Sequence, residues 1–333
     1  MQIETWQEQT IRWSMLHEPG DAAARALFDS RGTQVFADIQ TPEAAAIWGE
    51  CLPQEYGSEV PRILERIKLR LPNADPVAAI ERGIRWNARP VFEQQAPRLF
   101  EMLSHLGNHR PYFLWVAGSL SWLDGSQVSI VGTRRPSAEG LVSASKLVRM
   151  LGAPVVSGGA TGIDAQAHRE AMALGLPTAA FMAGGLDRAY PQENWELFHE
   201  IVRNGGAMIS EMAPRTAPSR FRFLQRNRLI AAASAETYVV EAGLRSGSRN
   251  TAGHARNLGR DVYALEHSKS PGCRSMIASG LALPFQLGAP SVQEQTQIRV
   301  RDAQREGNST AAQIAEESGL SVSEVEAVLS TRN

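Results

Sequence analysis

The sequence predicts an α/β protein built on a doubly wound, mostly parallel sheet, with a helical region before it and a short helical segment after it. Three observations carry this expectation. From about Pro111 onward, short β-rich runs end in glycine and alternate with helical patterns. Before that point the apolar residues recur at helical spacing, and the C-terminal tail holds two short helical patterns around Gly319. Continuous apolar strands alternating with helices are the mark of a sheet covered on both faces. The expected division is a helical domain over 1–106, a sheet domain over 107–289 and a helical segment over 290–333.

From Trp6 to Leu106 the turn sequences "EPGD", "SRGT" and "LPNADP" interrupt the helical spacing, and no run alternates convincingly as a strand. Six runs then read as strands, each leading into a helical pattern: "QVSIVG", "APVVSGG", "PTAAFMAGG", "AMISE", "TYVVEAG" and "DVYALE". From Ala289 a polar link leads to "TAAQIAEESGLSVSEVEAVL", whose spacing suits a helix-turn-helix. These helices carry Glu316, Glu317, Glu324 and Glu326, with no lysine or arginine between Ala315 and Leu329. A duplex repels such a surface, so the stripe of Leu320, Val322, Val325, Val328 and Leu329 is expected to meet protein or to pack within its own helix pair.

The chain has 333 residues, 43% of them apolar, and a formal net charge of -1. It is long enough for two or three cores and lacks a generally basic coat, although a local basic patch remains open. Cys51 and Cys273 form no C-x-x-C, which excludes a thiolate zinc cage and fits a reducing compartment. The N-terminus is polar, and no run approaches the roughly 18 apolar residues of a membrane span. The expectation is a soluble, cytoplasmic protein with no membrane partner.

In open parallel sheets, ligands sit beyond the carboxyl ends of the strands. Four such ends carry candidate residues: Arg134 and Arg135 in "VGTRRPS"; Ser157, Gly158, Gly159, Ala160 and Gly162 in "SGGATG"; the glycines of "MAGG"; and Ser246, Gly247 and Ser248 in "EAGLRSGS". A glycine loop that hands a strand to a helix N-terminus offers free N–H groups and the positive end of the dipole to an anion. A glycine at such a turn also serves backbone geometry alone, and both readings remain open. The nucleotide motifs are missing. None of Lys68, Lys146 and Lys269 follows a glycine as in G-x-x-x-x-G-K-[ST], and "SGGATGID" is not G-x-G-x-x-G.

Asp164 and His168 lie four apart, the spacing of a general-base pair, but also that of a helix-start acid with a histidine bonded to it. "HEIVR" at His199 lacks the second histidine of a zinc site. No catalytic residue, metal or cofactor is expected. The stretch "MAPRTAPSRFRFLQRNRLIAAAS" carries Arg215, Arg220, Arg222, Arg226 and Arg228 with no acid among them, interleaved with Phe221 and Phe223. Arginine can clamp phosphates while aromatic rings stack bases, which is how single strands are held without sequence preference.

These motifs resemble the DNA-processing family called DprA or Smf. "SIVGTRRPSAEG", "VVSGGATGIDAQAHREAM", "GGLDRAYPQEN", "ISEMAP", "RFLQRNRLIAA", "VVEA" and "SGS" follow in the family's order, and "LHEPGDAAARALFDSRG" is similar to its N-terminal helical region. The resemblance implies an extended Rossmann-like sheet, a SAM-like helical domain before it and a winged-helix-like segment, truncated here, after it. It implies a non-catalytic protein that binds and protects single-stranded DNA, forms a homodimer and loads a RecA-type recombinase in DNA processing, transformation or recombination. The alternative is a nucleotide-binding enzyme or sensor on the same kind of sheet. Carried onto matching positions, the DNA contacts would be Arg134, the Ser157 to Gly162 loop, Arg220, Phe223, Arg226, Asn227 and Arg228. Arg249 and Asn250 in "SGSRNTA" stand where the family usually has apolar residues.

Overall fold

The structure is a computed structural model that describes residues 3–123, 125–266, 270–288 and 292–330, without the side chains of 292 and 293. The helices α1 (Thr5–Met15), α2 (Ala22–Arg31), α3 (Val35–Asp38), α4 (Ala44–Cys51) and α5 (Val60–Arg70) enclose a core around Trp13, Leu27, Trp48, Ile63 and Ile67. Asp21 caps α2 by accepting from Ala24 N at 3.0 Å, which is why "EPGD" ends one helix and starts the next.

The helix α6 (Pro76–Arg85) leads into β1 (Ala88–Val91), followed by α7 (Pro97–Ser104) and β2 (Leu114–Gly118). The region to Leu106 was expected to hold no strand, and β1 corrects that. The chain then alternates: β3 (Val128–Val131), α8 (Ala138–Leu151), β4 (Val155–Ser157), α9 (Ile163–Ala173), β5 (Thr178–Met182), α10 (Trp195–Arg203), β6 (Ala207–Ser210), α11 (Arg220–Ala232), β7 (Thr237–Val239), α12 (Gly247–Asn257), β8 (Val262–Leu265), α13 (Pro271–Ala278) and β9 (Leu283–Phe285). The strands form one sheet in the order β1-β2-β6-β5-β4-β3-β7-β8-β9. Pairs from β6 through β9 are parallel, and β1 and β2 close one edge antiparallel. The six expected strands are β3 to β8.

Alternate residues of each strand face opposite layers. On β4, Val156 joins Leu229, Ile230, Ala252 and Met276 beneath α11 to α13, while Val155 joins Leu147, Ile163 and Ala167 beneath α8 and α9. This is the α/β doubly wound arrangement that the alternating pattern predicts.

Beyond the sheet come α14 (Val292–Arg305), α15 (Ala311–Ser318) and α16 (Val322–Ser330). The expected boundary at Ala289 lies outside the described residues. The segment expected to be a polar link is mostly α14, and its Val300 and Ala303 form a small core with Ile314, Ala315 and Val325. Leu320, Val328 and Leu329 pack on that core, so of the two readings of the stripe the internal one holds for these residues, while Val322 stays 44% exposed. α14 also lies against α8, where Lys146 Nζ donates to Gly288 O at 2.9 Å and pairs with Glu294 at 3.4 Å. Among the described residues, no helix is long and apolar enough to cross a membrane.

Candidate functional site

From β3 the chain steps outward through β4, β5 and β6, then returns to place β7 on the other side of β3. The helices that follow β3 and β7 therefore diverge, leaving a crevice at the carboxyl ends of these strands. It holds an open cleft of about 850 Å³. Of the expected residues, Arg134, Arg135, Ala160, Arg220, Phe223, Arg226, Asn227, Ser246, Gly247 and Ser248 line this cleft.

Each wall has a local cause. The Arg134–Arg135 turn is held from behind by Glu241, whose carboxylate accepts from Ser137 N at 2.9 Å and from Ser137 Oγ at 2.8 Å, while Ser137 caps α8. Ser246 caps α12 by accepting from Ser248 N at 3.1 Å, so a helix N-terminus opens onto the cleft. Asn227 donates to Gly247 O at 3.3 Å and to Asn250 Oδ1 at 3.1 Å, which gives the asparagine at 250 a role in tying α11 to α12. Arg249, the other departure from the family pattern, donates to Ser275 Oγ at 3.0 Å.

Two cations lie near the Phe223 ring. The Arg134 Cζ lies 5.1 Å from its ring centroid and the Arg226 Cζ 5.8 Å, and Tyr190 meets it with centroids 5.7 Å apart. Arg134, Arg135 and Arg220 are exposed. Arg226 is buried, and its Nη1 donates to Gly158 O at 2.6 Å and Phe181 O at 2.5 Å. Burial lowers its pKa to about 10, Asp164 works against that drop and Arg134 adds to it, so the guanidinium stays charged at neutral pH. Among the described residues lining the cleft, Asp164 is the only acid. Burial raises its pKa, against the pull of the Arg226 charge.

Several expected contacts are corrected by burial. The Ser157 side chain is fully buried and donates to Ile130 O at 2.6 Å, so it cannot reach a ligand. The loop amides of Gly158 and Ala160 point inward to Asp164 Oδ2, at 3.2 and 3.3 Å; the loop's own carboxylate takes the place expected for an outside phosphate. Gly158 borders a smaller neighbouring cavity, and Gly159 is buried with its carbonyl accepting from Asn194 Nδ2 at 2.9 Å. Gly162 is required by geometry: its φ is +83°, and a Cβ there would overlap Thr133 O. Arg228 is buried, with Nη2 on both oxygens of Glu211 at 2.8 and 2.7 Å and Nε on His109 O at 2.8 Å, so it is a structural arginine.

Asp164 and His168 are not a pair. The Thr178 hydroxyl donates its one hydrogen to Val155 O at 2.7 Å, so it accepts from His168 Nδ1, also at 2.7 Å. Among the described residues, no group of three His, Cys, Asp or Glu could hold a metal ion. Sequence reasoning passed over Arg245, which is exposed in the cleft wall, and Tyr190, which stands against Phe223. Arg245 lies inside "EAGLRSGS", and its place directly before a helix cap was the signal available. Tyr190 lies in the "GGLDRAYPQEN" motif, but nothing local joined it to Phe223, because 32 residues of chain and a strand separate the two.

The model of a family described as DNA recombination-mediator protein A matches residues 91–297. A putative DNA processing protein DprA of Mycobacterium tuberculosis is 42% identical over 184 residues, 53% of this chain and 47% of that one, so the chain spans about half the length of that relative. The solved DprA of Streptococcus pneumoniae superposes with a TM-score of 0.65 at 26% identity, covering 86% of this chain and 95% of the other. The DNA processing protein A of Helicobacter pylori, solved for its single-stranded DNA binding mode, gives a TM-score of 0.52 at 29% identity, covering 59% of this chain and 90% of the other.

Proposed function

Because the chain belongs to the DNA recombination-mediator protein A family, we propose that the cleft beside β3 and β7 holds single-stranded DNA. The observation that carries this reading is the cleft itself: exposed Arg134, Arg135, Arg220 and Arg245 surround an aromatic ring whose neighbours are guanidinium groups. The arginines neutralise backbone phosphates and Phe223 offers a face to a base. Neither interaction depends on base identity, so binding is sequence-tolerant. The N-terminus of α12 adds backbone donors to the same wall. Arg226 acts differently: it fixes the Gly158 carbonyl and adds its charge beside the Phe223 ring.

On this reading the protein works in DNA processing by binding alone. The two groups that the spacing pairs for catalysis, Asp164 and His168, are each bonded elsewhere. The held strand is passed to a RecA-type recombinase and two copies act as a homodimer; both rest on the family resemblance. The same family resemblance supports the division into helical, sheet and C-terminal segments.

Anisotropy titration of labelled oligothymidylate over a range of salt tests the reading. If Arg134 and Arg220 each neutralise one phosphate, the double variant Arg134→Glu, Arg220→Glu binds more weakly, and its log-log salt slope is shallower by about 1.4, at about 0.7 per phosphate. Parental affinity in a folded double variant, or saturable binding of a mononucleotide with none of the oligomer, overturns it.

A further inference from the structure

The cleft does not end at Phe223. Arg134, Ala160 and Phe223 also line a small cavity of about 110 Å³ that continues to Tyr190 and Pro191. Tyr190 is then shared with a further open hollow of about 440 Å³, lined by Asp187, Arg188, Tyr190, Gln192, Trp195 and Pro218. Three cavities thus run one into the next through shared lining residues. Tyr190 is 46% exposed and meets Phe223 at 5.7 Å; Trp195, which lines the hollow, meets the 42% exposed Trp86 edge-on at 5.6 Å.

We infer that a single strand held in the arginine cleft continues past Phe223 into this hollow, with bases on Tyr190 and Trp195 and a phosphate on Arg188. The inference rests on the reading of the cleft given above. Exposed aromatic faces interleaved with cations are the arrangement that holds single strands. The charges agree with it. Arg188 is exposed and has no ion-pair partner among the described residues. The acid beneath it, Asp187, is already occupied, accepting from Arg215 N at 2.8 Å and lying 3.8 Å from Arg82. Glu193 borders the connecting cavity and repels a phosphate there, so the strand crosses that point with a base or sugar turned inward, against the Tyr190 and Phe223 rings.

Two oligothymidylates, of about 4 and about 12 nucleotides, bracket the span, since single-strand sites cover about 4 to 16 nucleotides. Trp195→Ala is expected to weaken the longer oligomer about tenfold and leave the shorter one unchanged, the loss of one stacked base. Trp195 also packs on the core, so Arg188→Glu serves as a second variant on an exposed position; it weakens the longer oligomer alone and makes its salt slope shallower by about 0.7. Parental binding of both lengths by folded Arg188→Glu and Trp195→Ala overturns the inference. Arg134→Glu, run in parallel, separates the two failures: it weakens both lengths when the cleft reading holds, and neither when that reading fails.

Discussion

At the scale of single residues, burial decides more than identity does. Asp164 and His168 share one helix face at the right spacing for a pair, yet the packing of α9 turns the carboxylate to the loop amides and the imidazole to Thr178. His168 Nε2 is buried without a partner, and burial, with Arg169 and Arg226 nearby, lowers its pKa from 6.5 to about 3. The folded state therefore refuses a proton that the unfolded chain accepts. Stability from this group is complete above pH 6.5 and is lost as the pH falls toward 3, at about 1.4 kcal/mol per pH unit for one proton. His17, also buried and beside Arg66 and Arg70, is lowered well below its ordinary value and acts in the same direction. Urea midpoints measured between pH 7 and pH 4 should fall more steeply for the parent than for His168→Asn. Equal slopes would show that His168 takes up its proton while folded.

At the scale of elements, α11 shows how one helix serves both ligand and core. Its first turns present Arg220, Arg222 and Phe223 outside or half outside, while Arg226 to Ala232 are buried on every side. Its start is fixed by Ser219, which accepts from Arg222 N at 3.2 Å, and by Glu18, which receives Arg222 Nε at 2.9 Å and Arg70 Nη2 at 2.9 Å. Burial works to raise the pKa of Glu18, and the two guanidiniums outweigh it, so it is held below its ordinary value. Further along, Arg228 and Glu211 form a buried pair. Arg228→Met leaves Glu211 without its partner and should cost about 3–5 kcal/mol in a urea melt, with single-strand affinity of the folded fraction unchanged. Adding Glu211→Leu should restore much of the loss. A drop in affinity with no drop in stability would return Arg228 to the cleft. The run of arginines was legible in the sequence, and the sorting of exposed Arg220 from buried Arg228 was not, because the helix enters the core part-way along its length and its residues show no single apolar face.

At the scale of the whole molecule, the sheet's carboxyl edge and the C-terminal helices are separate surfaces. No residue lining the cleft comes from 292–330, and α14 docks on α8 through Lys146 and Glu294. Removing residues 290–333 should therefore leave single-strand affinity within about twofold, as expected of sites without shared partners. A large loss in a folded truncation would place the acidic helices in the binding path. The family's matched region, 91–297, starts at the last residue of β1 and covers β2 to β9, and the N-terminal helices bind to it through Glu18 and through His109, which meets Gly20 O at 2.8 Å.

The α/β class, the strands β3 to β8 and most of the cleft wall follow from sequence alone, because buried parallel strands must be apolar runs and the turns beyond them need glycine, arginine and capping serine at short range. β1, β2 and β9 escaped it. β1 and β9 are short edge strands, each with a proline; β9 is mostly exposed, and neither sequence reads as an alternating or continuous apolar run. α14 was hidden by its polarity, since its apolar Val300 and Ala303 matter only once α15 and α16 fold against them. Which arginines face solvent, which loop amides an internal carboxylate has already taken, and which rings from distant turns meet across the cleft were settled by tertiary packing alone. Each depends on how deep a residue lies and on what stands opposite it, and neither is a property of the local sequence.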